Sequence, residues 1–447
     1  MSTETVDPMG EFSAGKYSGY VPIVGDENPA DKPKLNYGKT FTIGFGFLAI
    51  SVVWAVYNAY IPIRLKEFGL ASAAVGAVMA IDNVFAVTVQ PLFGMISDRT
   101  QTRLGRRLPY AAACAPIAAI CLIAMAYSGN LAMLIFFVVI CSLVMAAWRA
   151  PIVALMPDVT DSRLRSQANG VINFMGALGS LIALVIGGMV YNEYGMGAPF
   201  FIAAILLLAA VGLLLILVRE PELAKQPKPE NLWGSLRETI APRLNLGAQK
   251  RRSLIFMMCV LFAYTMGSNA VETFFTLWAT TNLGVQAGTA SQLMACYAGA
   301  FILFTIPSGL IGSKFGRKRS IQFALIVATL LMIPAKFVTT PTVAAVGMFI
   351  FGALWTLVIV NAIPWITQLG GVRHTGAMTA LYYLATAGGA VVSPILFGFI
   401  HDATSEYGFM FWFAAFGFVL ALTLTFFVHH GEADDAPSDE LMLSSEE

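Results

Sequence analysis

Charge is what this chain has least of. Asp, Glu, Lys and Arg together make up 12% of its 447 residues, about half the share of an ordinary soluble domain. With 57% hydrophobic residues, that shortage excludes a soluble globular fold and assigns the chain to lipid. Cysteine is sparse as well. Cys114, Cys121, Cys141, Cys259 and Cys296 fall inside apolar runs with no paired spacing, which argues against disulfides or a metal site and for small buried hydrophobes. His374, His401, His429 and His430 sit at expected helix ends or loops without metal-ligand spacing. No nucleophile motif or phosphate-cradling loop stands out, so neither an enzyme nor a cofactor is expected. The net charge of +1 says little because the charges are segregated, and no nucleic-acid partner is expected.

A signal peptide is also missing. Residues 1–38 are polar, with Gly, Pro and mixed charges but no short apolar core, so the first apolar run is expected to stay in the protein as a membrane helix. A bilayer needs about 20 apolar residues per helix. That rule predicts twelve helices, near 41–62, 73–97, 109–128, 131–156, 167–191, 198–218, 253–279, 289–311, 319–338, 342–365, 376–400 and 407–428. The fold class is therefore all-α integral membrane, with six-helix halves at 39–218 and 253–430. Segment 1–38 and the acidic tail 431–447 should be disordered. Between the halves runs a linker, 219–252, in which Leu232 to Ile240 has helical spacing: either a short helix on the membrane surface or a mere tether.

Positive charge sets the expected orientation. The loops after even-numbered helices carry Arg99 to Arg107, Arg163 and Arg165, Arg219 to Arg252, Lys314 to Arg319, and Arg373, whereas the other side offers Arg64, Lys66 and Lys336. Both termini should be cytoplasmic, in a bacterial inner membrane. The first basic loop, Gly94 to Pro109, has an echo half a chain later in Gly309-Leu-Ile-Gly312-Ser313-Lys314-Phe-Gly316-Arg317-Lys318, where Ser313 replaces Asp98. Such duplication places a binding site between the halves, near mid-membrane.

These features resemble the major facilitator superfamily over nearly the whole apolar chain. Its first-loop motif, Gly-x-x-x-Asp-Arg-x-Gly-Arg-Arg, is expanded here to Ser97-Asp98-Arg99-Thr100-Gln-Thr102-Arg103-Leu-Gly105-Arg106-Arg107-x-Pro109. The longer version is similar to that of sucrose transporters and the glycoside–pentoside–hexuronide:cation symporters. Trp148-Arg149-Ala150, Asp158…Arg165-x-x-Ala168-Asn169-Gly170, Asn269-Ala-Val-Glu272-Thr and Thr379-Ala-Leu381-Tyr382-Tyr383 fit too. Melibiose-type relatives place an acid before the proline that follows mid-helix two. Here Gln90 precedes Pro91 and the acid is Asp82, which favours protons over sodium as the coupling ion.

Three charges lie well inside the expected spans: Asp82, Arg149 and Glu272. Each costs about 2.5–3.5 kcal/mol at a bilayer centre, so function or a buried ion pair must justify it. Burial disfavours a carboxylate and an approaching cation restores it, which suits Asp82 and Glu272 to proton coupling. Arg149 can fork onto sugar hydroxyls or a carboxylate, and the resemblance implies substrate contact; a place in the inner gate beside Asp158 is the other reading. Further substrate candidates are Trp54, Tyr57, Asn58, Asn83, Gln90, Asn173, Asn269, Asn361, Trp365, Gln368 and Tyr382, although membrane helices also use such residues for packing. Asp98, Arg99, Arg106, Arg107, Asp158, Asp161, Arg165 and Arg317 are expected to form a cytoplasmic gate, or simply to set topology. The reading that follows is a monomeric, proton-coupled sugar symporter working by alternating access. An exporter or antiporter of small amphipathic compounds is the alternative, which the many Met and Phe residues would suit.

Overall fold

A computed structural model describes residues 35–160, 164–220, 247–370 and 375–431. The N-terminal segment up to residue 34, the stretch Leu232–Ile240, Asp161, Arg163, Arg373, His374 and the acidic tail from Glu432 lie outside the described residues. The first half of the chain supplies α1 (Tyr37–Glu67), α2 (Ser72–Met79), α3 (Ile81–Arg99), α4 (Leu108–Ala126), α5 (Leu131–Val159), α6 (Arg165–Tyr194) and α7 (Gly197–Leu217). The second supplies α8 (Ala248–Asn282), α9 (Ala287–Phe315), α10 (Arg317–Ala335), α11 (Pro341–Gly370), α12 (Thr375–Thr404) and α13 (Phe409–Thr425). Because α2 and α3 are two parts of one span, Ser72–Arg99, these segments make twelve crossings, as the apolar runs predict. Eleven are long enough and apolar enough to span a bilayer, and α13 is a shorter apolar helix.

Several helices outrun their apolar cores. The 35 residues of α8 reach about 52 Å at 1.5 Å per residue, against a hydrocarbon core of about 30 Å. Its first turns, with Lys250, Arg251 and Arg252, therefore project beyond the lipid, which is why the helix starts earlier than its apolar run. Two helices are capped by asparagine, a side chain that can accept an otherwise unpaired first-turn N–H. Asn36 accepts from Lys39 N at 3.0 Å and Asn130 from Met133 N at 2.8 Å.

The second crossing is broken at Ala80, with no proline at the break. Backbone bonds run from Ala80 N–H to Gly76 O and from Val84 N–H to Ala80 O. Asn83 N–H instead turns to the Asp82 carboxylate, at 2.7 Å. The short piece α2 lies chiefly against α12 of the other half. A Cβ on Gly76 would sit 2.0 Å from Pro394 O, so only glycine permits that approach.

A second crossing between halves joins α6 to α9. A Cβ on Gly188 would stand 2.4 Å from Gly288 O, Ser291 Oγ donates to Leu184 O at 3.0 Å, and Asn192 Nδ2 donates to Thr289 Oγ1 at 3.2 Å. Both crossings lie toward the end remote from the arginine-rich loops, the far end. At the opposite, basic end the halves stand apart around a cavity. Gly188→Val should therefore hold the far end open: overpacking of 1–3 kcal/mol displaces the equilibrium by about tenfold. Distances between spin labels placed across the far end would lengthen, with yield and helicity unchanged.

Candidate functional site

A cavity of about 2020 Å³ separates the halves, walled by α1, α3, α5, α6, α8, α9, α11 and α12 with the start of α10. It reaches the basic end, where Pro157, Asn169 and Gly170 of the first half face Lys314, Arg317 and Arg319 of the second. Of the expected substrate residues, Trp54, Asn58, Asn83, Gln90, Arg149, Asn173, Asn269, Asn361 and Tyr382 are on its wall. Helical geometry explains the grouping on α1, since Ile50, Ser51, Trp54 and Asn58 share a face at three- and four-residue spacing.

Three expected residues are elsewhere. Tyr57 is turned about a quarter of a helical turn from that face; it is fully buried and meets Trp54 edge-on at 5.3 Å, supporting the wall from behind. Trp365 is 1% exposed and packs against Gly431. Gln368 accepts from Arg317 Nη1 at 2.6 Å, within the basic-end cluster. Asn361 reaches the wall but has its amide nitrogen engaged, donating to Ser308 O at 3.1 Å and Leu357 O at 2.8 Å. That ties α11 to α9.

The membrane-embedded charges are brought close without forming an ion pair. Glu272 Oε1 accepts from Asn58 Nδ2 at 3.2 Å, a hydrogen bond between the halves. Asp82 lies one residue behind the wall and is engaged with its neighbour: Asn83 N at 2.7 Å and Nδ2 at 2.8 Å both donate to its Oδ1. Arg149 is exposed to the cavity with no hydrogen bond or ion pair among the described residues, so its donors face open space. Asp82 is near enough to Glu272 and to Arg149 to interact with each electrostatically. Sequence reading passed over the aromatic wall opposite, where Tyr297 and Phe301 each meet Trp355 at 5.5 Å. Aromatic residues in membrane helices are too common for that pattern to signal a cavity.

At the basic end Arg107, 4% exposed, is the hub. Its guanidinium donates to Asp158 Oδ2 at 3.0 Å, to Gly94 O at 3.4 Å, and to Ser97 and Asp98. Arg106 pairs with Asp158 at 2.8 Å. Glu220, unforeseen from the sequence, accepts the backbone N–H groups of Arg106, Arg107 and Leu108 at 2.7, 2.8 and 2.6 Å, capping the start of α4. Arg317 donates to Pro364 O at 2.9 Å. Arg99 makes no hydrogen bond or ion pair among the described residues, and of Arg165 only the backbone is described. None of these contacts crosses between the halves, Glu220 of the linker binding only to the first.

A sequence profile described as Major Facilitator Superfamily matches residues 43–279 and 257–441. The chain belongs to that superfamily. Multidrug resistance protein MdtG of Citrobacter koseri is 24% identical over 353 residues, covering 75% of this chain and 83% of that protein. The Salmonella schwarzengrund protein of the same name is 25% identical over 339 residues, covering 73% and 79%. Among solved structures, a point mutant of the nucleoside transporter NupG matches with TM-score 0.69 at 17% identity, covering 88% of this chain and 100% of that one. A bacterial homologue of the human lysosomal transporter Spinster, inward-facing and occupied, gives TM-score 0.66 at 14% identity, covering 89% and 95%. These establish the fold of a multi-pass transporter; none of the four is named for a sugar.

The hub predicts a ranking. Removing Arg107 strands Asp98 and part of Asp158, and a partner lost from a largely buried pair costs several kcal/mol. Arg107→Ala should lower the melting temperature in detergent by roughly 5 °C or more, whereas Arg99→Ala should leave it nearly unchanged.

Proposed function

We propose that this protein exports small amphipathic compounds in exchange for protons, by rocking its two halves, 39–218 and 253–430, about the central cavity. The observation that carries the reading is the cavity itself: wide, largely apolar and aromatic, open at the basic end, with Glu272 the one acid on its described wall. The curated relatives named for multidrug resistance support the same direction. Positive charge at the basic end supports a cytoplasmic position for that end, in a bacterial inner membrane; in that orientation the state described is one that a compound enters from inside.

The chemistry centres on Glu272. As a carboxylate it accepts the Asn58 amide across the halves, and hydrogen bonds to an ionised acceptor are the stronger kind. Protonation removes the charge and weakens that tie, so proton occupancy and the approach of the halves are linked. Asp82, one residue behind the wall, is the other embedded acid and gives the proton an alternative seat. Arg149, with its donors free, supplies the polar anchor for a solute. In this scheme a solute loads from the cytoplasm while Glu272 is unprotonated, and a proton loads from outside after the solute leaves.

A second reading, proton-coupled sugar uptake, is favoured by a specific observation. Asn58, Asn83, Gln90, Asn169, Asn173 and Asn269 all line the cavity with Arg149, an array of donors and acceptors suited to hydroxyl groups. The expanded first-loop motif points the same way.

Proteoliposomes separate the two. With a proton gradient imposed, export predicts gradient-driven movement of a lipophilic dye against its concentration, and no response to sucrose, maltose or other glycosides. Sugar-dependent alkalinisation outside the vesicles would establish uptake instead. Under either reading Glu272→Gln should reduce gradient-driven accumulation to background while solute exchange persists. Unchanged accumulation in both Glu272→Gln and Asp82→Asn would refute the coupling scheme.

A further inference from the structure

The start of α2 lacks a cap of its own. Its preceding residue, Ala71, is extended and has no side-chain acceptor, although the first N–H groups of any helix need partners. The partner comes from the other half of the molecule. Asp402, near the end of α12, accepts Ser72 N–H on Oδ1 at 2.7 Å and Ala73 N–H on Oδ2 at 2.9 Å. Around this two-pronged contact Ser72 Oγ meets His401 Nδ1 at 2.8 Å, and Lys66 Nζ donates to Ser72 Oγ at 3.2 Å and to Leu70 O at 3.1 Å. His401 in turn stacks on Tyr407, ring centroids 3.8 Å apart. Ser72 is completely buried. The α6–α9 crossing, by contrast, is joined by the neutral groups of Gly188, Gly288, Ser291, Leu184, Asn192 and Thr289.

We propose that Asp402 is the clasp of the far end: by capping α2 across the two halves it sets how strongly the protein favours the state open at the basic end. Parting the halves there strands a carboxylate and two first-turn N–H groups together, so the contact is worth most in the closed state and nothing once the end opens. Asp402 touches neither the cavity nor the embedded charges; it is a positioning residue, and its role holds for export and uptake alike.

The test is a distance measurement in the full-length protein after replacement of the five native cysteines. Spin labels at Gly129→Cys and Val343→Cys report the far end, and labels at Gln101→Cys and Phe315→Cys report the basic end. Asp402→Ala should raise the long-distance population at the far end about tenfold, since hydrogen bonds to a charged group are the costly ones to lose, and shorten distances at the basic end. Concerted change at both ends marks a shifted equilibrium, which mere loosening would not produce. Ser72→Pro tests the other partner: proline is accommodated at the first helical position, Ala71 already has the extended backbone that proline requires, and one capping N–H disappears. It should widen the far end too. Glu406→Gln, whose carboxylate pairs with Lys336 within the second half at 2.9 Å, should change nothing. An unchanged far-end distribution in folded Asp402→Ala or in Ser72→Pro overturns the proposal.

Discussion

Hydrocarbon offers no partner to a charge or to an unpaired amide, and nearly every arrangement in this protein answers to that constraint. The exposed surface of the spans is mostly Ile, Leu, Phe and Val, while the embedded charges and most of the amides turn inward. Collected there, Asn58, Asn83, Gln90, Arg149, Asn269 and Glu272 cannot be packed as an oily core would be, and a water-accessible cavity between two halves is the arrangement that satisfies them. The cavity is thus less an addition to the fold than what remains when twelve helices keep their polar residues out of lipid.

The same constraint gives the two ends different character. At the far end the halves meet where glycine lets backbones approach, at Gly76 and at Gly188 with Gly288, and the interactions are short and directional. At the basic end the charged side chains bind within their own half. Arg107 holds α3, α4 and α5 together through Asp98, Ser97 and Asp158, and Glu220 secures the beginning of α4. The described members of the cluster expected to latch the cytoplasmic face therefore make their contacts sideways rather than across the gap.

Much of this was legible in the sequence because scarcity of charge makes each charge informative. The number of spans follows from hydrophobic run length, and the embedded Asp82, Arg149 and Glu272 stand out as exceptions. What sequence reading lacked was rotation. Tyr57 and Asn58 are neighbours in the chain, yet one supports the wall and the other forms it. The partner of Glu272 is Asn58, 214 residues away, and no local pattern announces such a pair. Glu220 went unread, since a cap supplied from a distant loop leaves no mark on the helix it caps. The break at Ala80 escaped for a similar reason. Proline or glycine at the site would have signalled it, but the interruption comes from tertiary packing of α2 on α12.

That break changes the count of moving parts. A chain whose second crossing were one continuous rod would behave as two rigid bodies turning against each other. Here the far-end third of that crossing sides with the opposite half, joined to its own remainder through the few bonds around Ala80. In the proposed rocking of the halves, α2 must either leave α12 or leave α3, and the residue beside the junction is Asp82. The load on the joint is thus borne next to a carboxylate that already holds one of the amides freed there, so a mechanical event and an ionic one share the same two residues.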